Sequence, residues 1–389
     1  MEGQHTPLYK LSIADIAARH LEVQINLDGP FDRRLRLWMP AWVPGSYLLR
    51  EYAGHLIRLD AFDGDSPLAC QKTDKSSWEV DTKGASSLRV VYRIFAPELT
   101  VRTNDVSDQH AFINPAGTFL AIEGLEERAA RLEVSCPKGW SVHTALPAVG
   151  KNAFEVADYD TLVDSPLEMG AMPVHEFTVA GVKHELVIQG EGNFDLEKML
   201  KDMAAIVTEE SKIFGGLPPD LKRYLFILLL TESGMGGLEH CMSTALAWPR
   251  LGFRPEIEYH RFLTLIAHEY FHIWNVKRIR PELFLNYDYR RETHTRLLWA
   301  FEGVTNYYDE LIPMRAGVYS VKRYLEFTAE NIRAEWARPG NQVQSVSDSS
   351  FDTWIKLYRP SPDGQNSQVS YYQRGMLVAL LLDLELRRR

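Results

Sequence analysis

The sequence predicts an α+β protein of two domains, an antiparallel β-sandwich over residues 1–170 followed by a mainly helical domain with a small sheet over 171–389. Three observations predict it. The first 170 residues alternate apolar and polar side chains in short runs broken by Gly, Pro, Asp and Asn clusters, the texture of strands and turns. From Phe194 onward apolar residues recur at helical spacing. One of these helices carries two histidines four residues apart in an otherwise apolar stretch, His268-Glu269-Tyr270-Phe271-His272.

Taken in order, Leu21–Leu27 alternates strictly, Leu35–Leu37 opens a second such run, and Leu88–Phe95, Thr118–Ile122 and Arg131–Cys136 are further short strands. Short strands separated by turn signals suggest a sandwich or barrel. Between them Met39–Tyr52 is a loop of aromatics and charges around a Pro-Gly turn, expected to pack on its own aromatics rather than reach toward a site. Near Glu168–Pro173 the texture changes, and His184–Gln189 adds one more strand. Phe194–Phe214 is an amphipathic helix that ends at a Gly-Gly-Leu-Pro-Pro segment. Tyr224–Leu230 is continuously apolar and of strand length, hence a buried strand. It leads into Glu232–His240, whose glycines, Gly236 and Gly237 among them, let backbone approach a ligand closely. The histidine helix follows, free of Pro and Gly from Glu256 to Arg280 and stopped by Pro281, and then a helix over Leu297–Glu310. The last helix, Tyr371–Leu386, is apolar on nearly all sides and demands cover, either from another copy or from a C-terminal region beyond Arg389.

Composition narrows the function. Lys+Arg 43 against Asp+Glu 52 leaves a net charge of −9 with no long basic block, which argues against nucleic acid and anionic membranes as partners. Three scattered cysteines form neither a disulfide framework nor a CxxC metal site. The start shows no basic and apolar leader, and no apolar run is long enough to span a bilayer. The expectation is a cytoplasmic protein, or a periplasmic one if a leader has been removed.

His268 and His272 stand one above the other on one helix face, so their imidazoles can converge on a single zinc ion per chain. Glu269, beside the first histidine, can reach a water there without being a ligand, the HExxH arrangement of zinc peptidases. A third ligand is needed, and the carboxylates on offer are Glu282, Glu292 and Glu302. Glu292 has a familiar spacing, 20 residues past His272, but lies in a polar segment; Glu302 lies among apolar neighbours, where a carboxylate wants a metal or a cation, and is preferred. Asn306, one turn on, is a candidate to orient a ligand.

His268–Pro281, Phe301-Glu302-Gly303 and Tyr307-Tyr308 together resemble the glycyl aminopeptidase family, metallopeptidase family sixty-one, as do Pro44–Glu51 and Gly236–His240. The resemblance covers essentially the whole chain. It implies an N-terminal β domain, a thermolysin-like catalytic domain, and usually a C-terminal PDZ domain that this sequence lacks, in keeping with a chain cut short behind its last helix. Similarity to the wider gluzincin clan implies that Glu239 anchors the α-amine of a peptide with a free N-terminus. The same similarity implies that Tyr372, or its neighbour Tyr371, donates to the oxyanion, with Arg374 standing where the clan has Lys. The activity implied is zinc-dependent removal of small N-terminal residues, Gly or Ala. An endopeptidase in which Glu239 is structural, and a catalytically silent zinc-binding scaffold, are the rivals.

Overall fold

The computed structural model describes residues 6–389; residues 1–5, the beginning of the stretch inspected for a leader, lie outside it. Alternation in the first domain translates directly into pairing. His20–Asp28 lies against Ser87–Phe95 so that Leu21, Val23, Ile25 and Leu27 face Ile94, Tyr92, Val90 and Leu88, all buried. Burying each such side chain is worth about 1.5–3 kcal/mol. The pair sits inside an eight-stranded sheet that also includes Leu8–Asp15, Leu56–Asp63 and Ala130–Ser135. Two four-stranded sheets complete this mostly β domain, one built around Leu167–Gly170 and His110–Ile113, the other around Arg34–Trp38 and Ser77–Asp81. The expectation of a purely antiparallel domain needs one correction. Leu8–Asp15 runs parallel to Ala130–Ser135, a pairing between segments too far apart in the chain to be legible locally.

Val174 opens a five-stranded sheet ordered Val174–Val179, Val182–Gln189, Arg223–Thr231, Ser243–Pro249, Gly236–Glu239. The three middle strands are parallel, and helix Leu196–Ile213 makes the crossover that a parallel pair requires. Arg223–Thr231 is apolar throughout because both its faces are covered. Leu225, Ile227 and Leu229 join the core of the β domain, while Tyr224, Phe226, Leu228 and Leu230 meet Phe262, Ile266 and Tyr270 of the histidine helix. Gly236–Glu239 is the edge strand, antiparallel to its neighbour.

The histidine helix spans Glu256–Phe271 and stops well short of Pro281, contrary to expectation. His272 is its C-cap, and the chain continues in turns to Val276, whose buried backbone holds φ 142°, a strained value for a β-branched residue. The next helix is likewise not uniform: Trp299–Gly303 is a π-helical turn leading into the α-helix Val304–Arg315. The last helix, Tyr371–Arg388, buries Tyr371, Gly375, Met376 and Ala379 and leaves Leu381, Leu382, Leu384 and Leu386 more than half exposed. No helix among the described residues is long and apolar enough to cross a membrane.

Candidate active site

The end of one helix and the π-turn of another bring His268, His272 and Glu302 together. Each histidine has spent one ring nitrogen: His268 Nδ1 lies 2.8 Å from Asp309 Oδ2, and His272 Nδ1 lies 2.7 Å from the carbonyl of Asn275. A carbonyl can only accept, so His272 Nδ1 carries the proton and its Nε2 presents a lone pair. The carboxylate of Asp309 selects the same tautomer of His268. Both Nε2 atoms then point at one oxygen, Glu302 Oε2, at 3.3 and 3.4 Å. Three acceptors facing each other repel unless a cation lies between them. Ligands bonded to one ion at about 2.0–2.1 Å in a tetrahedral array stand about 3.3–3.4 Å apart. The residues present therefore fit zinc.

Electrostatics point the same way. Without a cation between the three groups, protons take its place: burial works against a charge on Glu302, but two protonated imidazoles outweigh it and hold its pKa down. A metal ion and protons compete for the same two imidazole lone pairs.

The π-turn explains how Glu302 reaches the histidines. A π-turn shifts the carbonyl register and frees carbonyl oxygens of their helical partners. Asn275 Nδ2 takes up two of them, those of Ala300 and Phe301, at 3.1 and 3.0 Å. Asn275 thus fixes His272 with its backbone and the Glu302 turn with its side chain. Gly303 and Gly375 pack backbone to backbone, and a Cβ on either would collide with the other helix. That contact docks the last helix against the π-turn and brings its Tyr372 ring within 6.3 Å of the His268 ring.

Glu269 is buried, and its Oε2 has no hydrogen-bond partner among the described residues. Burial, and then the neighbouring Glu239, raise its pKa to about 7 against the pull of the histidines. The edge strand makes room for it, since a Cβ on Gly237 would collide with the Glu269 carboxylate. Glu239 is also buried, its Oε1 is without a partner, and it lies with Glu269 and His272 in one group of ligand atoms within 4.8 Å. Gly236 precedes them at φ 132°, a backbone conformation that favours glycine.

Tyr372 and Tyr371 part company. Tyr371 is fully buried and its hydroxyl accepts from Thr353, whereas Tyr372 is partly accessible and its hydroxyl lies 3.0 Å from that of Tyr358. Glu282 and Glu292 are not among the grouped ligand atoms. The carboxylate that orients His268 is Asp309, two helical turns beyond Glu302, rather than the expected partner Asn306.

The loop from Met39 to Tyr52 does not pack on its own aromatics. Trp42 and Tyr47 pack against Phe284, Tyr287 and Trp354 of the second domain. Gly45, at φ 88°, sits so close to Glu239 that a Cβ there would be 2.5 Å from Oε2. From the same domain Arg102 donates to the carbonyl of Gly237 at 2.9 Å. Sequence reading missed Gly45 and Arg102 as site residues. The Pro-Gly turn at residue 45 was the one available signal; nothing local distinguishes Arg102.

A sheet edge beside a helix that carries two histidines and a nearby buried glutamate defines a metallopeptidase. Comparison with known proteins supplies the particular family. Residues 8–171 match the Peptidase M61 N-terminal domain, and residues 261–378 match the M61 glycyl aminopeptidase domain. A solved aminopeptidase N family protein from Idiomarina loihiensis is 33% identical, with a TM-score of 0.94 over 98% of this chain and 67% of its own. The chain belongs to the M61 glycyl aminopeptidase family. More distant structures share the fold: an M1 zinc metallopeptidase from Deinococcus radiodurans aligns at 14% identity and TM-score 0.56, covering 98% of this chain and 83% of that one. A variant of that enzyme bound to a Tyr-Ser-Ala substrate aligns at 15% identity and TM-score 0.55, with the same coverage. No curated protein matches the chain.

Proposed function

We propose that the protein is a zinc-dependent aminopeptidase that removes small N-terminal residues, Gly or Ala, from peptides, with domains divided at residues 170 and 171. The observation that carries the aminopeptidase reading is the buried Glu239 carboxylate, unpartnered at Oε1 and grouped with Glu269 and His272. A buried carboxylate without a cation is costly, and an α-ammonium is the cation a peptide brings. The substrate-bound M1 relative supports a peptide in this groove.

His268, His272 and Glu302 would hold the ion; when bound, zinc supplies Lewis acidity at the scissile carbonyl and a water able to lose its proton near neutral pH. Glu269 takes the proton of the attacking water and hands it to the leaving amine, a task suited to a group whose pKa burial has lifted to about 7. Tyr372 donates its hydroxyl proton to the oxygen on which charge develops. Tyr358, itself 3.3 Å from the carbonyl of Gly45, holds that hydroxyl in position. Gly236 and Gly237 leave the strand edge open for substrate backbone, and Glu239 fixes the free N-terminus.

The test is hydrolysis of Gly- and Ala-anilides beside an N-acetylated peptide, with zinc measured on the same sample. Only free-amine substrates should be cleaved, and Glu269→Gln should lower kcat by about 10²–10⁴ while zinc stays bound. Equal cleavage of blocked peptides would make the enzyme an endopeptidase. Bound zinc without any cleavage would leave a scaffold.

A further inference from the structure

The β domain sends two arginines toward this acidic groove, and neither makes an ion pair among the described residues. Arg102 donates to the carbonyl of Gly237, and its Nε is buried without a partner. Arg50 donates only to the hydroxyl of Ser46, at 2.9 and 3.3 Å. Burial, and then the charge of Arg102, lower the Arg50 pKa against the opposing influence of Tyr52, Tyr358 and Glu98. Both are held firmly. Arg50 lies in the loop whose Gly45 touches Glu239, and Arg102 sits in a turn fixed by Thr100 Oγ1 at its amide and by Tyr52 at its carbonyl. A guanidinium with a buried, unpartnered Nε at such a place wants an anion.

The edge strand sets the distance at which that anion would lie. Glu239 and Gly237 are two residues apart, roughly 6.6–6.8 Å along a strand. Gly237 is level with Glu269, the proposed base, and its carbonyl is what Arg102 grips. Starting from an ammonium at Glu239, one two-residue repeat of the strand reaches Gly237, where both the Glu269 carboxylate and the carbonyl gripped by Arg102 lie. An extended dipeptide separates its charged ends by at most about 7 Å.

Resting on the aminopeptidase reading, we propose that Arg102, with Arg50 behind it, binds the free α-carboxylate of the substrate, so that the enzyme prefers dipeptides to longer chains. Glu239 and Arg102 then measure the substrate from both ends. A guanidinium–carboxylate pair in a partly desolvated groove favours the acid over its amide by about tenfold or more.

The zinc-loaded enzyme should hydrolyse Ala-Ala with about tenfold or more higher kcat/KM than its C-terminal amide, the advantage should be smaller for Ala-Ala-Ala, and it should shrink as salt rises. Arg102→Gln should bring the acid-to-amide ratio close to one, and Arg102→Lys should restore part of it. A purely structural clamp would lower both substrates together and leave the ratio unchanged. Calorimetric binding of Ala-Ala and its amide to the Glu269→Gln protein gives the same ratio without turnover. A ratio near one in the unaltered protein overturns the inference while leaving the aminopeptidase intact, and needs no variant. Cleavage of neither free-amine substrate defeats the aminopeptidase reading and the inference together.

Discussion

Around His110 and around His268 the chain buries the same kinds of side chain, imidazole and carboxylate, with opposite wiring. At His110 both ring nitrogens are taken: Nδ1 lies 2.9 Å from Glu168 and Nε2 lies 3.3 Å from Asp105. Burial works against a charged ring there, but the two carboxylates outweigh it and lift the pKa to about 9. The ring has no nitrogen left with which to bind a metal. At His268 and His272 each ring spends only Nδ1, one on a carboxylate and one on a carbonyl, and both remaining lone pairs face a third acceptor. What separates a structural knot from a candidate metal centre is which ring nitrogens are already spoken for. Burial and residue type are shared.

If that distinction is right, the strongest effect comes from removing a lone pair. His272→Ala should abolish zinc retention, read by metal analysis after dialysis, and activity with it. Next is Gly237→Ala: its backbone is not in the left-handed region, and the atom its Cβ meets belongs to a flexible side chain. Stability should barely change, whereas displacing Glu269 by even about 1 Å should cost on the order of 10² in kcat. Asp309→Ala leaves His268 its outward lone pair but frees the ring, and should weaken zinc affinity or activity by about 10–100-fold in a chelator competition.

The smallest effect on catalysis belongs to the other cluster. His110→Gln should leave zinc content and kcat alone and lower stability instead. Folding raises the His110 pKa above the unfolded value of about 6.5, so its contribution is complete below that pH and is lost as pH climbs through about 9. Urea unfolding of wild type and variant should therefore differ most near pH 6 and converge toward pH 10. A constant difference would mean the ring is held by packing alone.

Much of this was readable in the residues. His268, His272 and Glu269 announce themselves by spacing, and Glu302 by the cost of a carboxylate among apolar neighbours. The alternation of Leu21–Leu27 and the unbroken apolar run at Tyr224–Leu230 gave the strands because burial on one face or two leaves a period in the sequence. The parts that escaped are those in which distant segments meet. Asp309 looks like any helix carboxylate until His268 is placed against it. The π-turn at Trp299–Gly303 depends on Asn275, 24 residues earlier than its start, taking up the freed carbonyls. Aromatics in the loop near Gly45 could have packed on each other, and only the docked second domain offers them Phe284 and Trp354 instead.

The contact of Gly45 with Glu239 also sets the order in which this molecule can become functional. Glu239 is closed in by a loop nearly 200 residues upstream of it, and the hydroxyl of Tyr372 is tied back to that same loop through Tyr358. During refolding, the second domain could gain its sheet and its helices while the amine end of the groove still stood open to water. Recovery of activity would then lag behind recovery of secondary structure, because the last event is one domain closing over the other and contacts between distant segments form slowly.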